Sequence, residues 1–158
     1  MGRRMAAFVY EAIMLFGVSL VPGVLATLIH RFLGDTRSSL LLGQACAFLT
    51  YGVYFVWLWT KNGQTLPMQT WKIRLVTAEG SPLSWQRAAL RYLACWIWIA
   101  PAAGLALLAG WSKWSALLAV LVWMLLYAAS ALLQAQRQFW HDILCGTRLV
   151  DWQPPAKK

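Results

Sequence analysis

Four long stretches of this chain are almost free of charge, and that pattern constrains its fold more than any other feature. They run from Met5 to Ile29, Ser38 to Thr60, Tyr92 to Ser112 and Trp114 to Gln136. The first carries one charged group, Glu11, and the other three carry none. A helix of about 20 residues covers the ~30 Å hydrocarbon core of a bilayer. Backbone in lipid must satisfy its own hydrogen bonds, so such runs are expected to be helices. Composition agrees. Of the 158 residues 60% are hydrophobic and only 12% charged. A soluble domain this small has too little interior to hide that much apolar surface. The expectation is an all-α membrane protein with four transmembrane helices, a cytoplasmic loop and a small juxtamembrane two-stranded β element.

Two local ambiguities attach to these runs. Only Lys113 separates the third from the fourth. They form a tight helical hairpin or one re-entrant unit, and their lengths favour the hairpin. The first run has the outline of a signal peptide, with Arg3 and Arg4 ahead of it and Val24-Leu25-Ala26 as a cleavage site. Glu11 falls where such a segment should be wholly apolar, so a retained helix is expected, kinked at Pro22-Gly23.

The net charge of +9 belongs to orientation rather than to nucleic acid. Arg3, Arg4, Lys61, Lys72, Arg74, Arg87, Arg91, Arg137, Arg148, Lys157 and Lys158 fall on one side of the four-span layout. Arg31, Arg37 and Lys113 fall on the other. The positive-inside rule then places both termini in the cytoplasm. Trp57 and Trp59 are expected at the inner interface, Trp111 and Trp114 at the outer one.

The one long polar loop, 61–86, contains a turn at Asn62-Gly63-Gln64-Thr65 and an alternating strand pattern from Trp71 to Val76. A second turn follows at Ala78–Pro82, and Ser84 is placed to cap a helix starting at Trp85. On that helix Arg87 and Arg91, four apart, are expected to share a face and meet anionic headgroups. After the fourth run, Gln138–Cys145 suggests a short interfacial helix and Gly146–Val150 a second strand. The triplet Arg-Leu-Val occurs in both strands, at 74–76 and 148–150. Their pairing would tie the loop to the C-terminal segment. Residues 151–158 are expected to form a disordered tail, leaving 1–150 as one domain.

Chemistry-bearing clusters are few. Cys46, Cys95 and Cys145 show no CxxC spacing, and His30 and His141 are too scattered for a metal site. No nucleophile elbow, zinc-protease, P-loop or dinucleotide motif occurs, so neither an enzyme nor a cofactor is expected. What stands out is a group of charges at the inner level of the bundle: Arg4, Glu11, His141 and Asp142. Arg4 and Glu11 are two helical turns apart on one face. Ionisable groups in a membrane usually pair or face a cavity. Burial favours a neutral carboxyl and a nearby arginine favours the ionised one, a balance suited to proton or cation exchange. The competing reading is an ion-pair latch fastening the first helix to the C-terminal segment. Ala102, Ala106 and Gly110 recur every four residues as a close-packing face, internal to the bundle or between copies in a homo-oligomer.

In order along the chain, Arg3-Arg4, Tyr10-Glu11, Gly63-Gln64-Thr65, Lys72–Val76, Glu79-Gly80, Arg87…Arg91-Tyr92 and His141-Asp142…Gly146-Thr147 resemble the RDD family of polytopic bacterial membrane proteins. The family is named for an arginine near the start of the first helix and two aspartates further on. Two positions depart from its pattern. Glu11 stands where Asp is usual, and Leu66-Pro67-Met68-Gln69 stands where Pro-Gly-Lys is common, leaving Lys72 as the nearest substitute for that lysine. The resemblance implies an inner-membrane protein loosely associated with transport, some members being similar to cation/proton antiporters. A membrane scaffold or assembly factor is the alternative.

Overall fold

The computed structural model describes residues 2–130 and 138–152, with the backbone alone for residues 4 and 5. It is mostly helical. Helices α1 (Gly2–Val18) and α2 (Leu20–Leu33) follow each other almost without interruption, and α3 (Arg37–Lys61) returns against α2. A short helix α4 (Leu66–Thr70) leads into strand β1 (Ile73–Thr77). Next come α5 (Trp85–Cys95), a 3-10 turn at Trp96–Trp98, α6 (Ala100–Leu108), α7 (Lys113–Ser130), α8 (Trp140–Leu144) and strand β2 (Thr147–Asp151).

Three helical stretches are long and apolar enough to cross a membrane: Ala6–Leu33, the one opening with α3 at Arg37, and Lys113–Ser130. A fourth candidate is the bent pair Trp85–Trp98 and Ala100–Leu108, angled by 49°. Their outer faces are greasy. Phe16, Phe32, Leu107, Leu108 and Leu125 are all more than two-thirds exposed. An exposed apolar surface of that extent suits lipid rather than water.

Both breaks in the apolar helices trace to proline. Pro22 has no N–H for the carbonyl of Val18, and the helix interrupts at Ser19, one turn earlier than the expected kink at Pro22-Gly23. At the break the Ser19 Oγ donates to Leu15 O at 2.6 Å and pairs with Tyr51 Oη of α3 at 2.7 Å, tying α1 to α3. The third run was expected as one helix from 92 to 112. Instead it bends at Ile99, because Pro101 cannot donate to the carbonyl of Ile97. The indole N–H of Trp123 on α7 takes that carbonyl at 2.9 Å. Freed backbone groups are tolerated at membrane depth when a neighbouring helix supplies a partner in this way.

The small-residue face of α6 is internal at Ala102 and Ala106, both buried, and α6 packs on α7 across a turn at Gly110. The expected end of the fourth run, 131–136, lies outside the described residues.

The two Arg-Leu-Val strands do pair. β1 and β2 run antiparallel with Leu75 opposite Leu149, Arg74 opposite Val150 and Val76 opposite Arg148. A lone two-stranded ribbon is marginal in water. This one is held because Ile73 and Leu75, 1% and 0% exposed, insert into a core shared with Ala7, Trp59, Met68, Leu83, Ala88 and Tyr92. The order extends past the expected start of the tail at 151. Asp151 is in β2, and the Trp152 N–H donates to Lys72 O at 2.9 Å. The rest of the expected tail, 153–158, lies outside the described residues.

The register is testable. In a chain whose native cysteines are replaced by serine, Arg74→Cys with Val150→Cys should crosslink under mild oxidation. Arg74→Cys with Leu149→Cys should not, because adjacent strand residues face opposite sides of the ribbon. Equal crosslinking of both pairs would contradict the register.

Candidate functional site

The turn between α3 and β1 organises the end of the molecule that carries the strand pair, and each residue of Gly63-Gln64-Thr65 contributes to it. Gly63 takes φ +67°, and a Cβ there would lie 2.8 Å from Leu75 O. Only glycine lets the turn approach β1 that closely. Its carbonyl accepts from Leu75 N at 2.7 Å, and the buried Gln64 amide donates to Ile73 O at 2.6 Å. Together they occupy the edge of β1 that β2 does not. Thr65 caps α4 by accepting from Met68 N, and its hydroxyl donates to a carboxylate oxygen of Glu11.

Glu11 is therefore held by hydroxyls. Tyr54 Oη of α3 donates to its other oxygen at 2.9 Å. The expected partner, Arg4, has a side chain outside the described residues. Arg3 instead reaches across the ribbon's end. Its Nη2 donates to Trp71 O at 2.6 Å and its Nη1 lies 3.4 Å from Asp151. The start of the first helix thus contacts β2 through Arg3 and Asp151. Both groups are substantially exposed, so this ion pair by itself contributes little.

Asp142 does not join Glu11. It is fully buried and pairs with Arg91, whose Nη2 and Nε donate to Oδ1 at 2.7 and 2.9 Å. The placement of Arg91 among headgroup contacts is corrected by this pair. The α5 face carrying Ala88, Arg91 and Tyr92 is buried, while Trp85, Leu90 and Leu93 point outwards. The spacing that groups Arg91 with Arg87 also groups it with Ala88 and Tyr92, and the counter-charge on α8 decides the matter. Trp59 completes the seat, buried, with the guanidinium 4.3 Å above its ring. Arg87, a turn earlier, is exposed and faces Glu79 at 3.3 Å. Lys72 and Arg74 border a polar cleft with Asn62, Gln64, Gln69 and Trp152.

His141 sits beside this pair in an aromatic nest, stacked on Phe139 with its ring 5.6 Å away. Its Nδ1 faces the Tyr127 hydroxyl at 3.0 Å and the Trp98 indole N–H at 3.3 Å. An indole N–H only donates, so Nδ1 accepts, and the neutral ring carries its proton on Nε2. That nitrogen is 3.6 Å from Asp142 Oδ1. Burial lowers the His141 pKa to about 4, against the upward pull of Asp142. The downward effect prevails because the nearby Arg91 guanidinium also repels a second proton on the ring.

A cavity of about 400 Å³ lies among these groups, lined by Glu11, Thr65, Arg91 and His141. Its remaining lining is apolar and largely aromatic. Glu11, Asp142 and His141, expected as one cluster, are thus divided: Glu11 and His141 face a common space, and Asp142 is sealed behind Arg91. Sequence reasoning missed Thr65 and Tyr54 as the partners of Glu11. For Thr65 a signal existed, since it is both a helix cap and part of the Gly-Gln-Thr motif.

Two measurements probe these contacts. Arg91→Met strands a buried carboxylate, which should cost on the order of 3–5 kcal/mol. The thermal midpoint in detergent should fall steeply, and adding Asp142→Leu should recover part of the loss. His141 titrates at about 4 when folded and near 6.5 when unfolded, so the unfolded chain binds the extra proton. Its contribution is constant above about pH 6.5 and falls by about 3 kcal/mol in total as pH drops through the folded value. A His141→Asn protein should show a flatter acid limb in a pH series of thermal melts. An unchanged limb would contradict a buried neutral imidazole.

The family model that matches this chain is the RDD family, over residues 1–146. No curated protein and no solved structure matches it. The matched stretch contains Glu11 in the first apolar helix, the Gly63-Gln64-Thr65 turn, the Arg91–Asp142 pair and the helices apolar enough to cross a bilayer. On that match the chain belongs to the RDD family of membrane proteins.

Proposed function

We propose that this protein spans a bacterial inner membrane four times, with both termini in the cytoplasm, and acts as a small cation- and proton-linked transporter. The observation that carries the reading is Glu11. It is an acid within the first apolar span, it borders a cavity, and two hydroxyl donors fix its carboxylate there. An intramembrane ionisable residue is by default a functional candidate. Thr65 connects that acid to the inner loop, which gives the site a mechanical link to the segment between the second and third spans. Four helices make a thin wall around a pathway, so transport would use a homo-oligomer in contact with anionic headgroups.

A second reading is favoured by a different observation. The buried Arg91–Asp142 pair and the Arg3 clamp join the loop, β2 and three helices into one inner platform. Under that reading the protein is a non-catalytic scaffold or assembly factor, and its charges are structural.

Proteoliposomes decide between the two. Transport predicts a pH-dependent cation flux that Glu11→Gln abolishes while the protein keeps a near-normal melting temperature, because glutamine cannot release a proton. Glu11→Asp, the residue usual in the family, should keep the flux. No flux under any imposed proton or cation gradient would leave the scaffold. The orientation is checked separately. Reporter fusions in the loop at 61–86 should read cytoplasmic, and those at 34–38 and 112–113 external. A cytoplasmic signal at 34–38 would overturn the four-span arrangement.

A further inference from the structure

We propose that the cavity beside Glu11 binds an organic monocation of the quaternary-ammonium type, with an aromatic or branched apolar body. The inference rests on reading that cavity as a cation site and names the class of cation. Among the described lining residues only Glu11, Arg91 and His141 bear groups that are charged or readily charged near neutral pH. Arg91 is neutralised by Asp142 at 2.7 Å. His141 is neutral because its Nδ1 accepts the Trp98 N–H. The described wall therefore carries one uncompensated negative charge, and its complement is a single positive one.

The rest of the wall says which kind of cation. Phe8, Tyr51, Phe55, Trp96 and Trp98 line the space. Aromatic faces attract cations through their quadrupoles, most strongly where water is excluded, and recognise quaternary ammonium centres. A metal ion needs several oxygen ligands, and among the described lining side chains oxygen comes only from the Glu11 carboxylate and the hydroxyls of Thr65, Tyr51 and Tyr92. Tyr54 and Thr65 both donate to Glu11, Tyr51 pairs with Ser19, and Tyr92 donates to Phe48 O at 2.6 Å. A quaternary nitrogen requires no hydrogen bond, only fixed charge and π surface. Glu11 is already held by its two donors, so binding need not order it. A space of about 400 Å³ falls in the range of small-molecule pockets.

The test uses the full chain in detergent and three probes of one shape class, titrated by tryptophan fluorescence and calorimetry. Benzyltrimethylammonium is the cation, neopentylbenzene its neutral carbon isostere, and benzenesulfonate an anion. The cation should bind saturably and at least about tenfold more tightly than the isostere, and the anion should not bind. Glu11→Gln should remove that preference. Phe55→Leu, which keeps the wall apolar and the charge intact, should weaken the cation alone, so the test survives if Glu11→Gln does not fold. Equal or tighter binding of neopentylbenzene to the wild type would mean that the cavity takes lipid or detergent chains, and would overturn the proposal. Preference for benzenesulfonate would overturn it too. Cation binding without flux in proteoliposomes supports the site and removes transport. Sodium or potassium flux without benzyltrimethylammonium binding keeps transport and removes this inference.

Discussion

The buried pair between Arg91 and Asp142 is the constraint on which the half of the molecule around the strand pair depends. A lone guanidinium or carboxylate at that depth is prohibitive, so neither α5 nor α8 can take its place without the other. The pair fixes the rotation of α5. With Arg91 inward, Leu90 and Leu93 face out, inverting the polarity of a water-soluble helix. Trp59 lays its ring beneath the guanidinium, which brings α3 into the same seat. The pair is weak evidence for stability relative to an apolar core, but it is strong evidence for a single arrangement, because any other strands a charge.

Around that seat the loop is tied by short-range chemistry rather than by apolar burial alone. Gly63 and Gln64 bond the free edge of β1, at Leu75 and Ile73, while Thr65 caps α4 and reaches Glu11. The ribbon of β1 and β2 then closes the chain end onto the loop, and Arg3 pins its open end from α1. Local geometry, the left-handed glycine and the threonine cap, thereby reaches an acid in the first apolar helix. A change in the state of Glu11 would be felt at Thr65 and so at the loop.

The cavity owes its character to neutralisation as much as to shape. Four ionisable groups surround or border it, yet Arg91 and Asp142 cancel, and Trp98 and Tyr127 hold His141 neutral. What faces the space is one carboxylate among aromatic side chains. That balance is an electrostatic consequence of which partners each group found.

The chain by itself determined a great deal. Four apolar runs bounded by charge pointed to helices, and their described parts are helical, although the third is broken into the end of α5, a 3-10 turn and α6. Two Arg-Leu-Val triplets flanked by turns announced a strand pair, and the ordered motifs from Arg3 to Thr147 announced the family. Proline marked both helix breaks, although the break came one turn before Pro22, because a missing N–H is felt at the carbonyl four residues earlier. What the sequence did not decide was pairing. Arg91 looks the same as Arg87 by spacing, and only the arrival of Asp142 from 51 residues away turned one inward and left the other exposed. Glu11 reads as the partner of an arginine two turns back, yet among the described contacts it is held by Tyr54 and Thr65 from distant segments. Partner choice for a charge is a property of three-dimensional proximity and of which groups can be desolvated together, and a one-dimensional pattern does not carry that information.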